Sequence, residues 1–149
     1  MNLINENLYE SKVDVKCFTS NGVVKNNSEL VMGTGTARLV KSQYPELPKT
    51  FGIMITSTYT KVNGVYKYGL LVDPLTKVAA LQTKYHYKDS SDIKLIQYSL
   101  NKLRLIAEQN STILFGIPIP GIGFGNLDRD TVMYLLEGLP YNVLIFDYS

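Results

Sequence analysis

Gly121, Gly123 and Gly125 alternate with Ile122, Phe124 and Asn126, and Asp128 follows at the exit of the segment. Glycines at alternate positions clear side chains from one short path. Backbone N–H groups along that path can then approach an anion closely. An apolar run, Thr112 to Ile119, enters this segment and an amphipathic run, Thr131 to Leu139, leaves it. The order reads as buried strand, glycine-rich loop, helix, which places the N–H groups at a helix start where anions bind. A second such loop, Gly33-Thr34-Gly35-Thr36, also precedes a helix. Two anion-favouring loops far apart in the chain fit a ligand with a diphosphate in its middle. The plainer alternative is that these glycines only make tight turns.

Neither loop is a nucleotide-hydrolase P-loop, because no Gly-Lys-Ser/Thr follows. The dinucleotide fingerprint fails as well, since Arg38 stands where its third glycine belongs. Other residues could bear chemistry. Lys84 follows the apolar run Val78 to Thr83, and its amine is a nucleophile once deprotonated. Taken alone, Lys84 reads as a solvated lysine at a strand end and Asp128 as a helix N-cap. His86 is an acid or base if it faces a ligand, and otherwise a surface-loop residue. Tyr85 and Tyr87 either cover a ligand or pack on the sheet edge. Cys17 lies in an alternating segment and reads as a small buried hydrophobe.

The elements that must hold these groups follow from periodicity. Asn2 to Leu8 reads as a short strand and turn, and Val13 to Thr19 alternates as a half-buried strand does. A polar loop runs from Val23 to Met32, and a helix of two to three turns then opens around Gly33 to Ala37. Tyr44-Pro45 stops that helix, because the residue before proline is pushed out of helical geometry. Gly52 to Ile55 and Val65 to Val72 read as strands, with Asp73-Pro74 a turn and Val78 to Thr83 a further strand. Ser91 or Asp92 caps the longest helix, whose apolar stripe is Ile93, Ile96, Leu100, Leu103 and Ala107. Thr112 to Ile119 is the next strand, and a short helix covers Asp130 to Glu137. Gly138 and Pro140 end that helix, and Asn142 to Tyr148 is the last strand. The second half alternates strand and helix, which predicts parallel strands with helices on both faces of a sheet. The fold class is therefore α/β, with three α/β/α layers, and residues 1–149 read as one domain.

Composition bounds what remains. The 149 residues are 45% hydrophobic and 19% charged, enough apolar material for a core. A net charge of +2 supplies no drive for extended non-specific nucleic-acid binding. The single cysteine excludes an intrachain disulfide and favours a reducing, cytoplasmic setting. The single histidine excludes sites built on several histidines, although a carboxylate-only metal site survives that count. No signal-peptide pattern opens the chain and no run reaches the ~18 apolar residues that span a membrane.

The ordered set of motifs resembles the macrodomain family. Asn21-Gly22-Val23-Val24, Glu29 to Ala37 and Tyr44-Pro45 are similar to the first half of a macrodomain, and Gly121 to Asp128 to its second diphosphate loop. Leu81-Gln82-Thr83-Lys84, Tyr85-His86-Tyr87 and Ser91 to Ile96 narrow the resemblance. They point to the branch of terminal ADP-ribose protein glycohydrolases and antitoxins that strip ADP-ribose from DNA thymidine, with small bacterial and phage relatives.

The resemblance implies a central mixed, mostly parallel sheet and an ADP-ribosyl hydrolase that needs no metal or redox cofactor. It implies Lys84 as the nucleophile on the distal ribose and Asp128 as acid/base, with Asn21 orienting the ribose hydroxyls. Gly33, Thr34, Gly35, Thr36, Gly121, Ile122, Gly123, Phe124, Gly125 and Asn126 would line the diphosphate path. Glu6-Asn7-Leu8 stands where many members carry Gly-Asp-Ile or Gly-Asp-Leu, so Asn7 and Leu8 would meet the adenine without a charge. The implied partners are ADP-ribose, or ADP-ribosylated protein or DNA. Two other activities remain open: a phosphatase acting on ADP-ribose 1″-phosphate, and a non-catalytic module that binds or sequesters ADP-ribose or a related nucleotide signal.

Overall fold

The computed structural model describes residues 3–147. Six strands form one sheet: β1 (Leu3–Ile4), β2 (Val15–Ser20), β3 (Leu70–Val72), β4 (Val78–Gln82), β5 (Phe115–Pro118) and β6 (Val143–Phe146). Their spatial order is β1-β6-β5-β2-β4-β3. Every pairing is parallel except β3 with β4, so the sheet is mixed and mostly parallel, as expected. The helices are α1 (Gly35–Gln43), α2 (Leu47–Thr58), α3 (Ile93–Gln109) and α4 (Arg129–Leu136).

The pleat divides the core into two halves. Cys17, Ala79 and Leu81 face one side, where Ile96, Leu100, Leu103 and Ala107 of α3 and Val132 and Leu136 of α4 close over them. Phe18, Val78 and Ala80 face the other, under Ala37 and Val40 of α1 and Leu47, Phe51 and Ile55 of α2. Alternation along β2 and β4 thus builds two cores on one sheet, which is the three-layer α/β/α arrangement. Cys17 is fully buried, and burial pushes its thiol up to about 12.

Two expected strands differ. Gly52 to Ile55 lies inside helix α2. Leu47, Phe51 and Ile55 recur at four-residue steps and are all buried, so a helical stripe overrides the short apolar run. Pro48 sits in the first turn of α2, where its missing N–H has no helical partner to lose. In the expected strand Val65 to Val72, only Leu70–Val72 pairs with β4. The cause is the buried Gln82 side chain. Its Oε1 accepts from the N–H groups of Tyr68 and Gly69 at 2.8 and 3.0 Å, and its Nε2 donates to the Tyr66 carbonyl at 2.8 Å. One side chain replaces a strand partner there, so the ladder starts late. At the ends of the chain, the strands expected from Asn2 and to Tyr148 are seen as β1 and β6, and Asn2 and Tyr148 lie outside the described residues.

Candidate functional site

The carboxyl ends of the parallel strands are the open edge where ligands of such sheets sit. Here that edge opens into a cavity of about 320 Å³. Asn21 follows β2, Thr83 and Lys84 follow β4, Ile119 follows β5, and Asp147 follows β6, and all of them line it. The rest of the wall comes chiefly from the two glycine-rich loops. Gly33, Thr34, Gly35 and Thr36 supply one side, and Gly121, Ile122, Gly123, Phe124 and Gly125 supply the other.

The first loop runs into the start of α1. Thr34 is the N-cap residue but makes no side-chain cap bond. Helix N-termini leave their first N–H groups without intrahelical acceptors, so the start of α1 presents unfilled donors to the cavity. Gly35 has φ +60°, a backbone that side chains rarely tolerate. Thr36 anchors the loop to the sheet: its Oγ1 accepts the Thr19 N–H at 3.0 Å and shares a hydrogen bond with Thr19 Oγ1 at 3.1 Å.

The second loop closes as one 3-10 turn over Gly123–Gly125. Gly125 N–H donates to Ile122 O and Asn126 N–H to Gly123 O. The N–H groups of Gly123 and Phe124 open the turn and so have no acceptor within it. Asn126, at φ +61°, ends the turn and does not line the cavity. Phe124 is 71% exposed, and its ring lies 3.8 Å from the position of a Cβ on Gly35. The two loops therefore meet at the cavity mouth.

Lys84 reaches across to the second loop. Its Nζ donates to the Phe124 carbonyl at 3.1 Å and to the Tyr87 carbonyl at 3.5 Å. Asn21 is 7% exposed; its Nδ2 donates to Val31 O and its Oδ1 accepts the Val23 N–H, both at 2.9 Å. An amide has two N–H donors, so one is left for a ligand. Asp128 is the N-cap of α4: Oδ2 accepts from Thr131 N–H and Thr131 Oγ1, each at 3.1 Å. It is exposed and stands outside the cavity wall. Asn7 caps a 3-10 turn at Leu8–Glu10 by accepting the Tyr9 N–H at 3.0 Å, and Leu8 is buried in the core. Neither lines the cavity.

Of the loop aromatics, Tyr87 joins the wall, whereas Tyr85 and His86 do not. His86 Nδ1 accepts the Lys88 N–H, and its ring stacks on Tyr87 with centroids 4.4 Å apart. Among the described residues, no cluster of three or more His, Cys, Asp or Glu could hold a metal ion.

Five polar wall residues carry no ligand role in the sequence analysis: Thr19, Ser20, Thr83, Ser91 and Asp147. In sequence Asp147 reads as part of the last strand, whereas β6 ends at Phe146 and leaves it just past a parallel strand, a position that makes it a candidate. Arg129 grips it with two guanidinium hydrogen bonds, at 3.2 and 2.5 Å. That guanidinium holds the Asp147 carboxyl below the usual carboxylate range.

No protein-family profile and no curated protein matches the chain. Solved structures do. DarTG of Thermosipho africanus in complex with ADP-ribose aligns over 99% of this chain and 41% of its own, with a TM-score of 0.77 and 22% identity. The chain thus spans well under half of that protein. The macrodomain of Mycobacterium tuberculosis DarG aligns over 99% and 97%, with a TM-score of 0.75 and 21% identity. A macrodomain protein from Streptomyces coelicolor aligns over 99% of both chains, with a TM-score of 0.58 and 14% identity.

Proposed function

We propose that this chain, which has the macrodomain fold, binds ADP-ribose between its two glycine-rich loops and removes it from a modified protein or DNA. One observation carries the reading. A single cavity collects the uncapped start of α1, the open turn at Gly123–Gly125 and the Lys84 amine. Two sets of backbone donors facing one space suit two linked phosphates. The ADP-ribose bound in the T. africanus structure supports the choice of ligand.

In this reading Lys84 attacks the distal ribose carbon and the acceptor leaves. Lys84 must first give up a proton, since an ammonium has no lone pair, and its Nζ must turn from the Phe124 and Tyr87 carbonyls toward the ribose. Asp128 serves as acid/base and as resolver of the ribosyl–lysine intermediate, delivering water to the same carbon. Asn21 offers its remaining N–H to the ribose hydroxyls.

A binding-only reading has one specific observation in its favour. Asp128 is engaged as a helix cap and lies off the cavity wall. The experiment pairs calorimetry with ADP-ribose and turnover on ADP-ribosylated protein and ADP-ribosylated thymidine DNA. Wild-type turnover that Lys84→Ala reduces by at least about 100-fold supports the Lys84 mechanism, on the scale of losing a transition-state contact. Turnover untouched by Lys84→Ala rejects it. Binding without turnover on either substrate leaves the module.

A further inference from the structure

Ser91 ends the loop that begins at Lys84 and lies directly beneath the second glycine-rich loop. It is 7% exposed and lines the cavity. Its N–H donates to the Gly125 carbonyl at 2.9 Å. Its Oγ lies so close to Gly125 that a Cβ there would stand 2.4 Å away, and a Cβ on Gly121 would stand 3.3 Å from the Ser91 Cβ. Ser91 therefore bonds the loop at Gly125 and stands close to it at Gly121. Yet its hydroxyl is buried and has no hydrogen-bond partner. A buried hydroxyl without a partner costs the desolvation of that group, so such a group calls for an explanation.

The surroundings supply one. Lys84 Nζ already holds the Phe124 carbonyl, and Ser91 N–H holds the next carbonyl, that of Gly125. The donors left open in the turn are the N–H groups of Gly123 and Phe124, which are free to take an anion. The Gly125 main chain packed against Ser91 Oγ belongs to that turn, while the Ser91 backbone is held at the start of α3 by Asp92 N–H to Thr83 O. We infer that Ser91 is a positioning residue whose hydroxyl is satisfied only when the second loop carries its phosphate ligand. The inference rests on the ADP-ribose reading of the cavity. It also explains why position 125 is glycine: any side chain there would occupy the hydroxyl's space.

The test is Ser91→Ala, measured for unliganded Tm and for ADP-ribose affinity by calorimetry. A buried hydroxyl with no partner costs stability in the unliganded protein, so the unliganded Tm should hold or rise. ADP-ribose affinity should fall about tenfold, the scale of one hydrogen bond. Unchanged affinity beside a binding wild type overturns the role of Ser91 and leaves the ADP-ribose reading standing. A lower unliganded Tm assigns the hydroxyl to structure and equally overturns it. Wild-type protein that does not bind ADP-ribose overturns the reading itself and this inference with it. Amide hydrogen exchange on the wild type adds a readout that needs no variant. Protection over residues 123–126 should rise when ADP-ribose is added, and no rise counts against a loop that settles on its ligand.

Discussion

At the scale of single residues, several side chains hold the scaffold and face the cavity at once. Asn21 fastens the turn after β2 and keeps one N–H in hand. Lys84 bridges to the second loop in the unliganded arrangement. Asp128 poses the sharpest question, because its cap contacts and its proposed chemistry use the same carboxylate. Asparagine can cap a helix but cannot act as an acid/base, so Asp128→Asn separates the two roles. The expected result is near-wild-type thermal stability with turnover lost. Asp128→Ala should in addition cost about 1 kcal/mol of stability through the lost cap. If Asp128→Asn keeps full turnover, Asp128 is a cap alone.

Element by element, local propensity decided less than the packing of a face. Helix α2 contains a proline, a glycine and several β-branched residues, and it forms because Leu47, Phe51 and Ile55 are buried along one stripe. Gly52 tests that explanation. In an exposed helix, glycine to alanine stabilises by about 1 kcal/mol. Here a Cβ on Gly52 would lie 1.8 Å from the Ser28 carbonyl oxygen, in the loop that Leu30 joins to Pro48 through a backbone hydrogen bond. Gly52→Ala should therefore destabilise by at least about 2 kcal/mol, as overpacking against backbone does. Denaturant unfolding measures it, and any gain in stability contradicts the close approach. The late start of β3 carries the same lesson, since a buried glutamine side chain stands in for the missing ladder bonds.

For the whole molecule, the sheet decides where chemistry is possible. Two cores clamp it, and its parallel strands deliver Asn21, Lys84 and Asp147 to one edge. The Arg129–Asp147 pair ties the start of α4 to the end of β6 at that edge. Arg129 depresses the Asp147 pKa, so the pair's contribution is present above the unfolded carboxylate value of about 3.9. It disappears as pH falls through the lower folded value. Asp147→Ala should lower Tm at neutral pH by a small, salt-sensitive amount, because the pair is partly exposed. The gap from wild type should close in strong acid. A gap independent of pH would trace the effect to packing.

The alternation of strand and helix in the second half, the two glycine-rich loops and the capped stripe of α3 were all legible in the residues. Each depends on local periodicity or on turn chemistry that a single segment carries with it. The α/β/α layering followed from that alternation. Helix α2 was not legible, because four apolar residues in a row satisfy either period until a partner face is known. Nor was the truncation of β3, which depends on Gln82 from another strand. The cavity needed the folded chain most of all. Lys84 and Phe124 lie 40 residues apart and touch only because β4 and the turn after β5 end at the same edge. Ser91 looked like a cap candidate until the second loop closed over it, and Asp147 like the tail of a strand until the carboxyl ends were assembled. Residue types named the groups able to hold an anion. Only strand order, a long-range pairing that no local segment encodes, put those groups around one space.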